Sequence, residues 1–573
     1  MIGSILPRNL KDYKSLNQDI IAGLTVAVMI IPQGMAYALL AGLPAIYGLY
    51  AAFIPLFIYP LFGTSRQLSV GPVALVSIIV LAGISQWADP NTARYIELAL
   101  LTSLVAGIIQ VLLSIGKMGF LVNFLSEPVI VGFTTAAAII IGLSQLKYLF
   151  GIDIGNSNDV LGLMQGLVEN IEATNFISLA IGIVAILLMV LSKKSKRNIP
   201  GAIIVVIIGT LLVYFFNLDK HNLQIVGTVP DGLPALNLSF INIKDIILVT
   251  PLALVICLIS FIESLAIAKT IAKKHDNYPI DANNELLGLG MSKIIGSIFQ
   301  AFPNTGSFTR SAINDEAGAV TGISSFVSGI FIGLILLFFT PLFFFLPKAV
   351  LGAIVISAVF GLINIPYVTQ LFYISKKDFG VFFVTFILTL LLGIQEGVFI
   401  GIILSLLLII KQASKPHFAI LGKLPGTSTY RNVERYEEAE IQKGVAIIRY
   451  DESIYFANAN HFIETINDIV ANQKDLNTVI LNCAAINNLD STGLSKMNEL
   501  LESLALKDIK LIFTELRGPI RDLFVKSGVT DKIGYENNYL TIQDAIDEHI
   551  SRNGISNMSR KYASQINKRK KTK

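Results

Sequence analysis

Two polar stretches interrupt long apolar segments of this chain: Ser65-Arg66-Gln67-Leu68-Ser69-Val70-Gly71-Pro72 and Thr305-Gly306-Ser307-Phe308-Thr309-Arg310-Ser311. Each stretch is followed by an apolar run that predicts a helix. In a bilayer an unpaired backbone N–H or C=O group costs several kcal/mol, so a helix breaks only where protein or a water-filled cavity surrounds the break. Two such breaks in corresponding positions of two halves are typical of the binding site of a secondary transporter.

The composition divides the chain into a membrane part and a second part. Hydrophobic residues make up 53% of the 573 residues and charged residues 15%, whereas soluble proteins carry about 25% charged residues. Residues 1–412 contain recurring apolar runs of about 20 residues, the length that crosses a bilayer. The composition of residues 413–573 is that of an ordinary soluble protein. We therefore expect a multi-span membrane domain over 1–412, followed by a soluble domain.

The apolar runs predict about fourteen spans. The third and tenth spans follow the polar stretches and resemble half-helices. An internal echo links Pro128-Val129-Ile130-Val131-Gly132 with Lys348-Ala349-Val350-Leu351-Gly352, and the two polar stretches are separated by a similar length of chain. A repeat of seven spans has odd parity, so its second copy runs through the membrane inverted. The expected spans are roughly 20–40, 43–62, 68–86, 97–115, 120–148, 175–191, 199–216, 246–271, 285–302, 308–318, 320–341, 347–365, 379–394 and 396–411.

The basic residues predict the orientation. With fourteen spans, four basic clusters and both termini fall on one side, while the acidic loop 151–174, which has no Lys or Arg, falls on the other. The positive-inside rule then places the N-terminus and the soluble domain in the cytoplasm. The four clusters are Arg8, Lys11 and Lys14, then Lys193-Lys194-Ser195-Lys196-Arg197, Lys273-Lys274 and Lys376-Lys377.

The soluble part alternates strands with helices. Strands are predicted at 445–450, 478–483 and 510–514, with helices at about 458–471, 491–506 and 517–527, which indicates a small α/β domain. We expect a linker over 413–442, the domain over 443–550 and a basic, disordered tail over 551–573. The tail is interpreted as a solvated end near anionic lipid rather than as a nucleic-acid-binding segment.

The first span contains the motif Ile31-Pro32-Gln33-Gly34-Met35-Ala36-Tyr37. Pro32 lacks a backbone donor, so the motif predicts a kinked or locally unwound helix. Gln33 and Tyr37 are four residues apart and share one helix face. They are candidate substrate-binding residues, and a polar face packed against another helix is the alternative.

Both polar stretches lead into the first turn of a helix. Gly71-Pro72 opens the run that begins at Val73, and Ser307 or Thr309 can cap the helix after the second stretch. Exposed N–H groups at two helix N-termini attract an anion, since each terminus carries roughly half a positive charge. Arg310 adds a permanent charge and forked donors that suit an oxyanion. The alternative is a loop arginine that extends to the membrane interface.

Two further residues are candidates for function. Glu263 lies deep in an apolar span, where an ionisable group marks an ion path or proton relay; a structural ion pair, for example with Arg310, is the alternative. In the soluble domain, Asp490 or Ser491 can cap a helix, and a phosphate on Ser491 would be stabilised at that N-terminus. The sequence contains no metal-ligand pattern, phosphate-binding glycine loop or nucleophile-with-base arrangement, so no enzyme, cofactor or metal site is predicted.

These residues resemble the sulfate permease family of anion transporters over nearly the whole chain. The resemblance rests on Gly42-Leu43-Pro44-Ala45-Ile46-Tyr47-Gly48-Leu49-Tyr50, on Gly63-Thr64-Ser65-Arg66 and on the second polar stretch. The motif Leu489-Asp490-Ser491-Thr492-Gly493-Leu494 is similar to the signature of a STAS domain. The resemblance implies an α-helical membrane protein of fourteen segments in a seven-plus-seven inverted repeat, with core and gate domains, a C-terminal α/β STAS domain and assembly as a homodimer.

The resemblance also implies roles for individual residues. It places the anion between the N-termini of segments three and ten, and it makes Glu263 the proton-coupling residue and Ser491 a candidate regulatory phosphosite. In animal relatives the position of Val73 is often aromatic and that of Thr309 often serine. The implied substrate-binding residues are Gln33, Tyr37, Val73, Thr309 and Arg310.

We therefore predict secondary active transport, namely proton-coupled sulfate uptake by an elevator-type mechanism. The alternatives are bicarbonate, chloride or dicarboxylate transport on the same scaffold and, from a different class, a membrane sensor that signals through its STAS domain. The expected partners are the inorganic anion, a coupling proton, the lipid bilayer, a second copy of the chain and a cytosolic protein that binds the STAS domain, but no nucleic acid. The expected location is the cell's inner (plasma) membrane.

Overall fold

The computed structural model describes residues 16–120, 126–154, 160–194, 201–275, 278–473 and 475–550. The chain forms two compact units, Met1–Ser405 and Leu406–Lys573. The predictions for the basic residues near the N-terminus, for Lys196-Arg197 and for the tail 551–573 lie outside the described residues.

The first unit is helical, and each of the fourteen predicted spans corresponds to a helix. Seven of the described helices are long and apolar enough to cross a membrane. Two helices, α7 and α15, lie outside the predicted spans, and α6 continues the fifth span after a short interruption. The bounds are α1 Leu16–Leu40, α2 Ala45–Phe62, α3 Ala74–Ile84, α4 Ala93–Ile115, α5 Glu127–Ser144, α6 Leu146–Phe150, α7 Val160–Asn170, α8 Phe176–Lys194, α9 Gly201–Phe216, α10 Ile243–Ala272, α11 Ala282–Ile298, α12 Phe308–Glu316, α13 Ile323–Phe338, α14 Lys348–Val359, α15 Ile365–Ile374, α16 Lys376–Leu392 and α17 Ile394–Ser414.

The third and tenth spans are short, as predicted. Helix α3 has 11 residues and α12 has 9. At 1.5 Å per residue they are about 17 Å and about 14 Å long, roughly half of a hydrocarbon core. Each follows a two-residue strand, β1 (Val70–Gly71) or β2 (Thr305–Gly306). Neither helix is therefore long enough to cross a hydrocarbon core alone.

Helix packing follows the predicted inverted repeat. The contact between α1 and α13 corresponds to the contact between α10 and α4 in the other repeat copy. The contact between α1 and α12 corresponds in the same way to that between α10 and α3. In a second bundle, α5 packs on α16 as α14 packs on α8. The two repeat copies open with the same tripeptide, Asp19-Ile20-Ile21 and Asp245-Ile246-Ile247, a signal that the sequence analysis did not use. The first bundle contains α1–α4 and α10–α13, and the second contains α5, α6, α8, α9, α14 and α16.

Glycine pairs allow close helix crossings within the first bundle. A Cβ atom built on Gly107 of α4 would lie 2.7 Å from the carbonyl oxygen of Gly290, and one on Gly290 of α11 would lie 2.8 Å from that of Gly107. Neither position therefore accepts a side chain without moving a helix. Backbones that approach through small residues are typical of membrane helix packing, where burying apolar surface from water supplies no attraction between helices.

The second unit is a mixed sheet covered by helices. The strand order is β4-β3-β5-β6-β7-β8, in which β3 is antiparallel to both neighbours and β5 to β8 are parallel. Strand residues alternate between two apolar cores, with Ala446 and Ile448 on one face of the sheet and Val445 and Ile447 on the other. The bounds are β3 Phe418–Lys423, β4 Tyr430–Asn432, β5 Val445–Tyr450, α18 Ala459–Asn472, β6 Thr478–Asn482, α19 Ser491–Leu506, β7 Lys510–Thr514, α20 Gly518–Lys526, α21 Val529–Ile533, β8 Asn538–Tyr539 and α22 Ile542–Ile550.

Candidate functional site at the paired helix breaks

The two polar stretches pair with each other. Strands β1 and β2 are antiparallel, with Val70 opposite Gly306 and Gly71 opposite Thr305. The pairing continues at Ser307, whose N–H donates to the Ser69 carbonyl oxygen at 3.0 Å. Each strand leads into a half-helix, so the N-termini of α3 and α12 meet while their chains run in opposite directions. The backbone groups freed by the breaks are thus satisfied partly by pairing.

The two helix N-termini are capped differently. The Ser307 hydroxyl accepts a hydrogen bond from the Arg310 N–H at 3.5 Å, so Ser307 is the N-cap of α12. Thr309, the other candidate cap, is exposed in the first turn. The N-cap of α3 is Val73, which is half-buried and supplies no side-chain cap. The N–H groups of the first turn of α3 therefore have no side-chain acceptor and are available to an anion.

Arg310 lies between the two breaks and is fully buried. Its Nη1 donates to the Pro72 carbonyl oxygen at 2.9 Å, whereas Nε and Nη2 have no hydrogen-bond partner among the residues that the structure describes. Gly71 leaves room beside it, since a Cβ there would lie 3.3 Å from Nη2. Buried guanidinium donors without acceptors are unfavourable, and a bound oxyanion would satisfy both. The arginine does not extend to the membrane interface.

Helix α1 passes directly beside the first break. A Cβ on Gly34 would lie 3.6 Å from the Pro72 ring. Gln33 and Tyr37 are both buried, and Gln33 Oε1 accepts no hydrogen bond from any described residue. The helix is continuous through Pro32, so the predicted local unwinding is wrong at this position.

Glu263 of α10 completes the cluster. Tyr37, Glu263 and Arg310 are close enough to interact electrostatically. Glu263 Oε2 is buried without a hydrogen-bond partner, and among the described residues the carboxylate forms no ion pair with Arg310 or any other side chain. The structural ion pair considered as the alternative for Glu263 is therefore not formed.

A polar network behind β2 was missed in the sequence. The Gly306 N–H donates to Ser264 Oγ at 2.9 Å, and Ser264 Oγ lies 3.0 Å from Thr305 Oγ1, which donates to the Ser260 carbonyl oxygen at 3.0 Å. Gln110 Nε2 donates to Ser260 Oγ at 3.0 Å, and Lys293 Nζ donates to Gln110 Oε1 at 3.0 Å. The available signal was a lysine within the apolar run of α11.

Two buried carboxylates, those of Glu285 and Asp19, bind the loop before the first break and the loop after α12. Glu285 accepts from the backbone N–H groups of Thr64 and Ser65 at 2.7 and 3.1 Å and from the Tyr59 hydroxyl at 2.6 Å. Asp19 accepts from the N–H groups of Val320 and Thr321, at 2.8 and 3.0 Å, just before α13. Each carboxylate therefore anchors a loop from another helix and fixes the position of the breaks.

Ser491 belongs to the second unit. Asp490 is the N-cap of α19: one of its oxygens accepts from the Gly493 N–H at 2.7 Å, and the other accepts from the Phe456 N–H at 2.9 Å. Ser491 is the first residue of the helix and is exposed. Asp490 thus takes the capping role and leaves the Ser491 hydroxyl accessible.

Comparisons with known proteins match both units. The sulfate permease family model matches residues 16–385, and the STAS domain model matches residues 436–545. Sulfate transporter 4.1, chloroplastic, of Arabidopsis thaliana is 37% identical over 95% of this chain and 82% of its own. High affinity sulfate transporter 2 of Stylosanthes hamata is 34% identical over 93% of this chain and 84% of its own.

Solved structures share the fold. The structure of murine Slc26a9, an anion transporter in the inward-facing state, has a TM-score of 0.85 at 27% identity and covers 95% of this chain and 93% of its own. The transmembrane domain of the cyanobacterial bicarbonate transporter BicA has a TM-score of 0.59 at 22% identity, over 69% of this chain and 97% of its own. The predicted fold class, a helical membrane unit with a C-terminal STAS domain, is confirmed.

Proposed function

The chain belongs to the sulfate permease family, which comprises multi-span membrane transporters and not enzymes, and we propose that it carries out secondary active transport of sulfate. Sulfate transporters among its relatives support the choice of anion. The location proposed is the plasma membrane, with the N-terminus and the STAS domain in the cytoplasm, although one relative is named as chloroplastic. The proposed assembly is a homodimer.

The observation that carries the proposal is the state of Arg310. A fully buried guanidinium lies beside the paired strands that lead into two helix N-termini, and two of its nitrogens have no hydrogen-bond partner among the described residues. One full charge and roughly half a charge from each terminus favour an anion, and forked N–H donors match a tetrahedral oxyanion. The proposed binding residues are Arg310, Thr309, Val73, Gln33 and Tyr37, with the backbone N–H groups of α3 as additional donors.

Glu263 is the proposed proton carrier. Its carboxylate is within electrostatic range of Arg310, and one oxygen is buried without a partner. When sulfate binds, a negative Glu263 would repel it, so binding of the anion favours protonation of the carboxylate. An inside-negative potential opposes sulfate entry by about 2.3 kcal/mol per charge per 100 mV. Co-transported protons offset that opposition, and Glu263 supplies one of them.

An elevator-type movement is the proposed mechanism. Helices α1, α3, α10 and α12, which carry every proposed binding residue, belong to one bundle. The second bundle contributes none of the proposed binding residues. An anion held entirely by one bundle can cross when that bundle slides against the other, without the site being taken apart.

The test is uptake of radiolabelled sulfate into proteoliposomes, with and without an inward proton gradient. The wild type is expected to accumulate sulfate when the gradient is applied. Glu263→Gln is expected to bind sulfate but to lose the response to the gradient, whereas Lys269→Gln, on an exposed position of the same helix, retains it. Transport of bicarbonate or chloride without sulfate would contradict the substrate, and gradient-driven uptake by Glu263→Gln would contradict the coupling residue.

A further inference from the structure

Lys293 of α11 is a fully buried lysine inside the bundle that carries the anion site. Its Nζ donates to Gln110 Oε1 at 3.0 Å, and within the described part of the chain it forms no ion pair. Lysines are almost never fully buried unless they are paired, because the desolvated charge has to be compensated. The buried amine is therefore not explained by a structural ion pair.

The elements packed against α11 leave Lys293 free to change its charge. Helices α4, α2 and α10 are its neighbours. Within the described part of the chain, Cys257 of α10 is the one titratable side chain that interacts with Lys293 electrostatically, and α4 presents the neutral Gln110. On α2, the Tyr59 hydroxyl is engaged by Glu285, which lies two turns earlier on α11 and directs both carboxylate oxygens to Tyr59 and the Thr64–Ser65 backbone. No described carboxylate holds Lys293 in the charged form.

A chain of hydrogen bonds connects Lys293 with the anion site. Gln110 accepts from Lys293 and donates to Ser260 Oγ, and the Ser260 carbonyl oxygen accepts from Thr305 Oγ1. Thr305 is part of β2, three residues before the start of α12. One end of the network is therefore the Lys293 amine, and the other is the β2 backbone that leads into α12 and Arg310. In such a buried region, electrostatic interactions are weakly screened, so a divalent anion at one end favours a positive charge at the other.

We propose that Lys293 carries the second of two protons transported with each sulfate. Loading adds two negative charges with sulfate, one proton at Glu263 and one proton at Lys293, so the bundle has the same net charge loaded and empty. At Lys293 the nitrogen lone pair forms an N–H bond with a proton of hydronium on the entry side, and the O–H bond that breaks leaves its electron pair on the water molecule. On the exit side the N–H bond breaks, its electron pair stays on nitrogen and the proton passes to water as hydronium. The inference rests on the proposed function.

Other buried charges of the bundle do not alter this count. Asp19 accepts from the backbone of Val320 and Thr321, and Glu285 accepts from that of Thr64 and Ser65, all within the same bundle. Neither carboxylate belongs to the anion site. A bundle whose charge does not change on loading moves both ways without an added cost of charge in the membrane.

The test is a count of protons per sulfate in proteoliposomes of known internal volume, at zero membrane potential and a tenfold inward proton gradient. Two protons predict steady-state accumulation of about 100-fold and one proton predicts about tenfold. The wild type is expected near the first value. Lys293→Gln, which preserves a hydrogen bond to Gln110, and Lys293→Met are both expected near the second, and their uptake becomes sensitive to an imposed inside-negative potential. Monodispersity in size-exclusion chromatography checks that each variant is folded.

The outcomes separate this inference from the proposed function. Two results would contradict the role of Lys293 as carrier of a second proton and leave sulfate transport unaffected. One is that Lys293→Gln accumulates as much sulfate as the wild type, and the other is that the wild type itself accumulates sulfate only about tenfold. A wild type that moves chloride instead of sulfate overturns the substrate, and the loss of one proton per anion in Lys293→Gln would then still support the role of Lys293. Lys269→Gln is the matched control, because it removes an exposed cation from the same bundle and is expected to leave the count unchanged.

Discussion

The two helix breaks have the same backbone arrangement and different side chains. In each, a two-residue strand leads into a half-helix, and the strands pair residue for residue. The second break has a serine cap and a buried arginine, whereas the first has the uncapped Val73 and the side-chain-free Gly71. The repeat therefore brings two helix N-termini together. The second break supplies the buried charge of Arg310, and the first supplies the uncapped N–H groups of α3.

Replacement of Arg310 should reduce sulfate affinity more than any other single change at the two breaks. Arg310→Gln removes the one permanent charge while keeping a donor near the Pro72 carbonyl. Truncating one partner of a buried, hydrogen-bonded charge pair costs roughly 2–5 kcal/mol, so sulfate affinity should fall by about 30-fold or more. Isothermal titration of sulfate onto purified protein measures the loss. Arg310→Lys, which keeps the charge without the fork, should lose less; equal losses would mean that geometry and not charge dominates.

Filling the space beside the arginine tests the first break. In Gly71→Ala, the new Cβ would lie 3.1 Å from Ile30 Cδ1 and 3.3 Å from Arg310 Nη2, tighter than ordinary van der Waals contact. We expect the guanidinium to shift and sulfate affinity to fall roughly tenfold, since core crowding typically costs 1–3 kcal/mol. The control is Gly142→Ala in α5, where a Cβ meets nothing within 4 Å. Equal sulfate affinity in both variants would contradict a close fit at Gly71.

Removing the cap of the second break should have the smallest effect. Ser307→Ala deletes the acceptor of the Arg310 N–H, and loss of an N-cap typically costs about 1 kcal/mol. Thermal unfolding in detergent should therefore occur at a slightly lower temperature, with at most a few-fold change in sulfate affinity.

The converse change, Val73→Ser, gives α3 the cap that it lacks. A serine hydroxyl there competes with the anion for the N–H groups of the first turn. We expect α3 to be stabilised and sulfate to bind more weakly, so the stability and the affinity change in opposite directions. If Val73→Ser binds sulfate more tightly, the open N–H groups of α3 are not part of the anion site.

Much of the fold could be predicted because its signals are local. Apolar runs predicted all fourteen spans, and the strand and helix pattern of the C-terminal domain predicted α18, α19 and α20 to within a residue or two. The short helices α7 and α15 were missed, because they are not long apolar runs. Strands β3, β4 and β8 were missed. The edge strands β4 and β8 have three and two residues and therefore a weak sequence pattern, whereas β3 is a six-residue strand between β4 and β5 that lies within the predicted linker 413–442.

The candidate site was predictable in its residues and not in its partners. Arg310 and Glu263 were identified because charges in apolar spans are rare. Whether they pair could not be inferred, and the structure keeps them from forming an ion pair. Lys293 is also a charge in an apolar span, but its partner Gln110 lies 183 residues away, and nothing local to either residue indicates the contact.

The sequence alone determined where the apolar spans lie, where polar stretches interrupt two of them, and that Arg310 lies at the second interruption. These features follow from hydrophobicity, helix length and residue type, which act over neighbouring residues. Only the tertiary structure decided that the breaks pair, that Ser307 and not Thr309 caps α12, and that two nitrogens of Arg310 remain without partners. The pairing of the breaks and the surroundings of Arg310 depend on hydrogen bonds between residues more than 200 positions apart, such as that from Arg310 to Pro72, and such bonds exist only once the helices have packed. The cap by Ser307 is a local hydrogen bond, but two candidate caps stand so close together in the sequence that only the folded backbone decides between them.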